Sequence, residues 1–66
     1  MIQIVVVKDD KEGKILVEKK FRDPEAAKAF GMEKVEEFTD NEHVSVDLLT
    51  GETEKAIRRN YAEVFA

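Results

Sequence analysis

His43 is the chain's one histidine, and it stands among acids: Asp40, Glu42 and Asp47 are its close neighbours in sequence. A zinc site needs three or four ligands that include strong nitrogen or sulfur donors, and a chain without cysteine offers only this imidazole. His43 therefore reads as an exposed residue at the start of a strand. Ser45 and Asp47 continue its alternation, but three side chains spaced two apart along one strand project in parallel and do not converge as a nucleophilic triad. Ser45 also lacks the flanking glycines of a nucleophile elbow. Glu33 and Glu37, four apart on the outer side of a helix, describe a solvated surface better than a general acid and base in a cleft. Gly13, Gly31 and Gly51 are isolated, so the chain has no phosphate-cradling loop and no dinucleotide fingerprint. The expectation is a protein that is not an enzyme and uses no cofactor or metal.

Charge is the remaining chemistry. The net charge of -4 is unevenly spread. Residues 33–54 hold eight acids (Glu33, Glu36, Glu37, Asp40, Glu42, Asp47, Glu52 and Glu54) against the single base Lys34. The flanking segments are slightly basic, with clusters at Lys19, Lys20 and Arg22 and at Lys55, Arg58 and Arg59. An acidic middle of this kind opposes the counterion release that drives polyanion binding. Nucleic-acid recognition through a sheet also needs aromatic platforms, and Phe21 and Tyr61, the aromatics nearest the basic clusters, are assigned to the core. Lysines on an edge strand have the plainer role of discouraging edge-to-edge pairing.

These residues must be positioned by one small domain, because 66 residues lie near the lower limit for folding unaided. Without disulfides, stability must come from packing, short loops or self-association. The first segment, Met1 to Lys8, is a strand apolar on both faces: Ile2, Ile4 and Val6 point one way, Val5 and Val7 the other. Something must cover each face. The polar run Asp9 to Gly13 reverses the chain, and Lys14 to Phe21 forms the second strand of a hairpin, with Ile15, Val17 and Phe21 on one face and Leu16, Glu18 and Lys20 on the other. The first set is expected to continue the face of Ile2, Ile4 and Val6.

Asp23-Pro24-Glu25 is a helix start: a side-chain cap, a proline suited to the first turn, and an acid at the positive end of the dipole. In the helix that follows, Ala26, Ala27, Phe30, Gly31, Val35 and Phe38 share one half of the surface, the half expected to lie on the sheet. Lys34 falls in the same arc, where its stem can cover apolar surface while its ammonium escapes at the edge. Gly31, unfavourable inside a helix, suggests either a close approach to the sheet or a break in the helix. His43 to Leu48 is a third strand with Val44, Val46 and Leu48 on one side. From Thr53 to Phe65 a helix is favoured, with Ile57, Tyr61, Val64 and Phe65 on one stripe; the alternative is a fourth strand turned at Thr50-Gly51.

The fold expected is α+β, a two-layer sandwich of hairpin, helix and strand (ββαβ) with a C-terminal helix, or ββαββ if the last segment is a strand. The function expected is a non-catalytic protein-binding module, a small regulatory or inhibitory protein. Its contact surface is either the acidic surface of Glu33, Glu36, Glu37 and Asp40, which suits a basic protein partner, or an apolar sheet face at Val5, Val7 and Leu16. A weak nucleic-acid binder using Lys19, Lys20, Arg22, Arg58 and Arg59 is one alternative, and a homodimeric structural module is another. With the last segment helical, it would lie over Val5, Val7 and Leu16 and the protein would be a monomer; with a strand there, that patch would favour a face-to-face dimer. The chain reads as cytoplasmic and not membrane-bound, since the opening apolar run is too short to span and carries no basic leader. In size, acidity and plan it resembles, in general terms, the small accessory proteins of phages and mobile elements.

Overall fold

The computed structural model describes all 66 residues. The order of elements is β1 (Ile2–Asp9), β2 (Lys14–Phe21), α1 (Pro24–Glu37), β3 (Val44–Gly51), α2 (Glu54–Asn60) and a final turn of helix α3 (Ala62–Phe65). This is an α+β fold of ββαβα order, and the segment after Thr53 is helical. Three strands form one sheet in the order β2-β1-β3, with β1 in the middle and antiparallel to both neighbours.

Local chemistry sets the boundaries. Asp9 Oδ1 accepts from the amides of Lys11 and Glu12 at 3.0 and 3.2 Å, and Gly13 takes φ +65° to complete the reversal into β2. Asp23 caps α1 by accepting from the Glu25 amide, with Pro24 in the first turn. Thr53 caps α2 in the same way through the Ala56 amide at 3.1 Å. Tyr61 ends α2 in a non-helical conformation (φ -123°, ψ 40°), so the stripe from Ile57 does not pass through it: Tyr61 is exposed, whereas Val64 and Phe65 fold back onto the core.

Both faces of the sheet are covered, but the helices are exchanged relative to the sequence expectation. Ile4, Val6, Leu49 and Ile57 form the buried cluster, with Ile2, Ile15, Val64 and Phe65 packed against it, so α2 and α3 cover the face of Ile2, Ile4 and Val6. Val5 and Val7 are fully buried on the opposite face, beneath α1, whose one buried residue is Ala27. Two features explain the exchange. First, β2 and β3 run parallel to each other on either side of β1, so α1 is the crossover between parallel strands. Such a crossover is right-handed by rule, and handedness, not hydrophobic pattern, selects its face. Second, the register between β1 and β2 slips after Val7: Val7 pairs with Val17, Lys8 with Ile15, and Leu16 is left over. This bulge turns Ile15 onto the α2 face while Val17 and Phe21 remain on the α1 face, breaking the alternation that placed the three together.

Gly31 lies in an unbroken helix, and a Cβ there would meet nothing within 4 Å, so it marks neither a break nor a close approach. Gly51 is where space is scarce: a Cβ would sit 2.6 Å from Cγ1 of the buried Ile57.

Candidate functional site

The four acids Glu33, Glu36, Glu37 and Asp40 are all exposed. Their spacing of three, four and seven puts them on one stripe along the outer side of α1 and into the turn that follows it. Glu37 alone is paired, with Lys34 at 3.2 Å. Lys34 behaves as its position in the inner arc suggested: its stem is largely covered, and its ammonium lies 5.1 Å from the Phe30 ring centre and reaches Glu37 at the rim. Past the helix, Glu37, Asp40 and Glu42 line an open depression with Phe38, Asn41 and His43. The turn there is fixed by Asn41, whose Oδ1 accepts from the His43 amide at 3.0 Å. No three His, Cys, Asp or Glu side chains converge as a metal site.

The apolar sheet face divides differently. Val5 and Val7 are fully buried under the chain's own helix, so they present no surface for a partner. Leu16, the extra residue of the bulge, is 40 % exposed on the β2 edge and apart from them. The exposed apolar surface lies elsewhere, in residues that the sequence pattern did not single out as a surface. Met32 and Val35 on the flank of α1 and Leu48 on β3 are each about half exposed (58, 52 and 48 %) and line one opening with Gly31 and Val46. Val35 is expected on the inner half of the helix, but it lies at the edge of that arc and stays half exposed beside Met32, three residues earlier.

Three of the six basic residues in the two clusters, Lys19, Lys20 and Arg58, are committed to contacts inside the chain, whereas Arg22, Lys55 and Arg59 are exposed and unpaired. Arg58 bonds Glu18 on β2 and Glu54 on its own helix, and its guanidinium stacks 4.6 Å from the Phe65 ring centre. Lys20 reaches Glu54 at 3.2 Å. Hydrogen bonds from Arg58 and then Lys20 hold the Glu54 carboxyl below its ordinary value of 4.5, while those to Glu18 and Glu54 raise Arg58 above its own. Lys19, on the other face, lies 5.3 Å from the ring centre of Phe21 and 5.0 Å from that of Phe30. Lys20 and Arg58, one from each basic cluster, thus meet on the Glu54 carboxylate, which offsets their charge.

One buried polar group stands without a partner. Gln3, on the central strand under the α1 face, is 5 % exposed, and its Oε1 accepts no hydrogen bond. No helix of the chain is long and apolar enough to cross a membrane. Comparison of the chain with protein-family models, with curated proteins and with solved structures gives no match.

Proposed function

We propose that this protein is a non-catalytic protein-binding module that docks a basic surface of its partner onto the acidic outer stripe of α1. The observation that carries the reading is the gathering of Glu33, Glu36, Glu37 and Asp40 onto one exposed stripe, with Lys34 the one base among them and already tied to Glu37. A stripe of this kind steers a cationic partner by long-range attraction and fixes its orientation on contact. The depression at Asp40 and Glu42 extends the same negative surface beyond the helix end. The nucleic-acid alternative has less support, because Lys20 and Arg58 are engaged by Glu18 and Glu54 and the rings beside Lys19 are packed against each other.

The test is reversal of charge on the stripe. Glu33→Lys, Glu36→Lys and Asp40→Lys combined are expected to leave the circular dichroism spectrum intact and to abolish binding to a purified partner, with the parent's affinity falling as salt is raised. Unchanged affinity in the triple variant would remove the stripe from the contact. A salt-dependent gel shift of the parent with DNA or RNA would favour the nucleic-acid alternative instead.

A further inference from the structure

The two outer edges of the sheet are unequally protected. β2 carries the bulge at Leu16, together with Lys14, Lys19 and Lys20, devices that keep an edge from pairing. β3, with the sequence Val-Ser-Val-Asp-Leu-Leu-Thr-Gly, pairs with β1 in uninterrupted register and has one charge, Asp47. The Asp10 amide donates to the His43 carbonyl at 2.7 Å, continuing the ladder between β1 and β3. Since hydrogen bonding alternates along an antiparallel pair, the odd-numbered residues of β3 bond to β1, and Val46, Leu48 and Thr50 turn their backbone groups outward. The side chains of Val46 and Leu48 line the opening beneath Met32 and Val35, so open backbone and exposed apolar surface coincide on this side of the molecule.

We propose that β3 pairs antiparallel with β3 of a second copy of this chain, about a two-fold axis at Val46, to give a six-stranded sheet. Three observations favour a second copy as the occupant. The register is self-complementary: Val46 faces Val46, Val44 faces Leu48, and Asp47 faces Ser45 of the other copy, which keeps the two Asp47 carboxylates off each other. The lining of the opening contains no acid, and Lys28 is its one charge, so the acidic stripe on the far side of α1 does not oppose the approach. The chain alone buries eight of its 66 residues, and α1 buries only Ala27; covering Met32, Val35 and Leu48 completes the thinner side of a small core. The burial of Val5 and Val7 beneath α1 rules out only the face-to-face dimer over those two residues, because the uncovered surface is an edge. Pairing of this kind leaves both acidic stripes open, so the dimer presents two docking surfaces on one side of its sheet.

The 66-residue chain is tested by analytical ultracentrifugation over a range of concentrations, with hydrogen exchange on the same samples. The expected mass is twice the 7.6 kDa of the chain. The Val46 and Leu48 amides are expected to be protected at high concentration and to lose that protection on dilution, and Leu48→Lys is expected to give a folded monomer. A parent that remains monomeric with rapidly exchanging Val46 and Leu48 amides overturns the proposal. So does a dimer in which those amides stay unprotected, which would place the contact elsewhere, or a series of larger species, which would mean pairing of β3 with the β2 edge of another copy. If Leu48→Lys fails to fold, exchange on the unaltered chain still decides.

Discussion

The two faces of the sheet are closed in opposite ways. Eleven residues of α2 and α3 seal one face, where Ile57 is fully buried against Ile4, Val6 and Leu49, and ion pairs from Arg58 and Glu54 to Glu18 and Lys20 tie the helix to β2. The fourteen residues of α1 cover the other face less completely. Val5 and Val7 are fully buried there, yet Met32 and Val35 stay about half exposed and Phe30 and Phe38 are half-buried. The amount of helix therefore does not set the amount of core; it matters more whether a large side chain descends at the point of closest approach. At α2 that side chain is Ile57, meeting Gly51. At α1 it is Ala27, and the helix lies close to the sheet with little to insert.

The sharpest way to break this contrast is at its strong side. Ile57→Ala is expected to cost about 2–5 kcal/mol, because the side chain is fully buried and its cavity is lined by the cluster that anchors the face. That is comparable to the whole stability of many domains of this size. Chemical denaturation read by circular dichroism measures it, and a loss below about 1 kcal/mol would mean that the C-terminal helices contribute little to the fold. Gly51→Ala attacks the same contact from the sheet side. The added methyl would meet Cγ1 of Ile57, an atom held next to the backbone of a fully buried residue, and overpacking of this kind costs about 1–3 kcal/mol. A neutral result would show that α2 can slide outward without loss.

On the weaker face the same kind of truncation should matter less. Phe30 packs at 5.3 Å from Phe21 and carries Lys19 and Lys34 over its ring, but it is only half-buried, so Phe30→Ala is expected to cost about 1–2 kcal/mol, less than Ile57→Ala. Glu33→Ala, with its side chain on the outer stripe, is expected to leave the melting temperature unchanged and serves as the control. Equal losses at Phe30 and Ile57 would erase the difference between the faces.

Sequence patterning made some of this legible and hid the rest for identifiable reasons. The hairpin, the capped start of α1, the strand at Val44 to Leu48 and the helical C-terminus follow from turn residues, capping chemistry and period, all of which are local. The assignment of helices to faces was not accessible in that way, because the handedness of the crossover and a one-residue bulge at Leu16 decide it, and neither leaves a mark in hydrophobic alternation. Leu49 escaped notice for a related reason: beside Leu48 it breaks the alternation and lies outside the expected strand of His43 to Leu48, whereas it is the β3 residue that reaches the core on the α2 face. Of the candidate site, the acidic stripe was readable from the spacing of Glu33, Glu36, Glu37 and Asp40. The open β3 edge was not, because strand order had to be known first.

The ion pairs that tie α2 to β2 give a smaller, pH-dependent effect. The folded-state pKa of Glu54 lies below its ordinary 4.5, so the contribution of its pairing is present above that value and is lost as pH falls through the lower, folded value. The stability difference between the parent and Glu54→Gln is therefore expected at neutral pH, to shrink on acidification, and to shrink also in high salt because the group is exposed. Thermal melts of both proteins across that range check the sign. A difference that grows on acidification would mean that Glu54 is not held ionised by Arg58 and Lys20.

The last test acts on the loosely closed face by filling it. Gly31 sits within α1 on the wall of the opening to Val46 and Leu48, its φ is not positive, and a Cβ there meets nothing within 4 Å. Glycine in a helix interior is less favourable than alanine by about 1 kcal/mol, largely through the freedom it retains in the unfolded chain. Gly31→Ala is therefore expected to raise stability by about 0.5–1 kcal/mol, opposite in sign to Gly51→Ala, although both add one methyl group to a glycine between the sheet and a covering helix. The two substitutions measured side by side compare the faces through a single atom. If Gly31→Ala destabilises as Gly51→Ala does, α1 lies closer to β3 than its open flank indicates, and the contrast between the two coverings disappears.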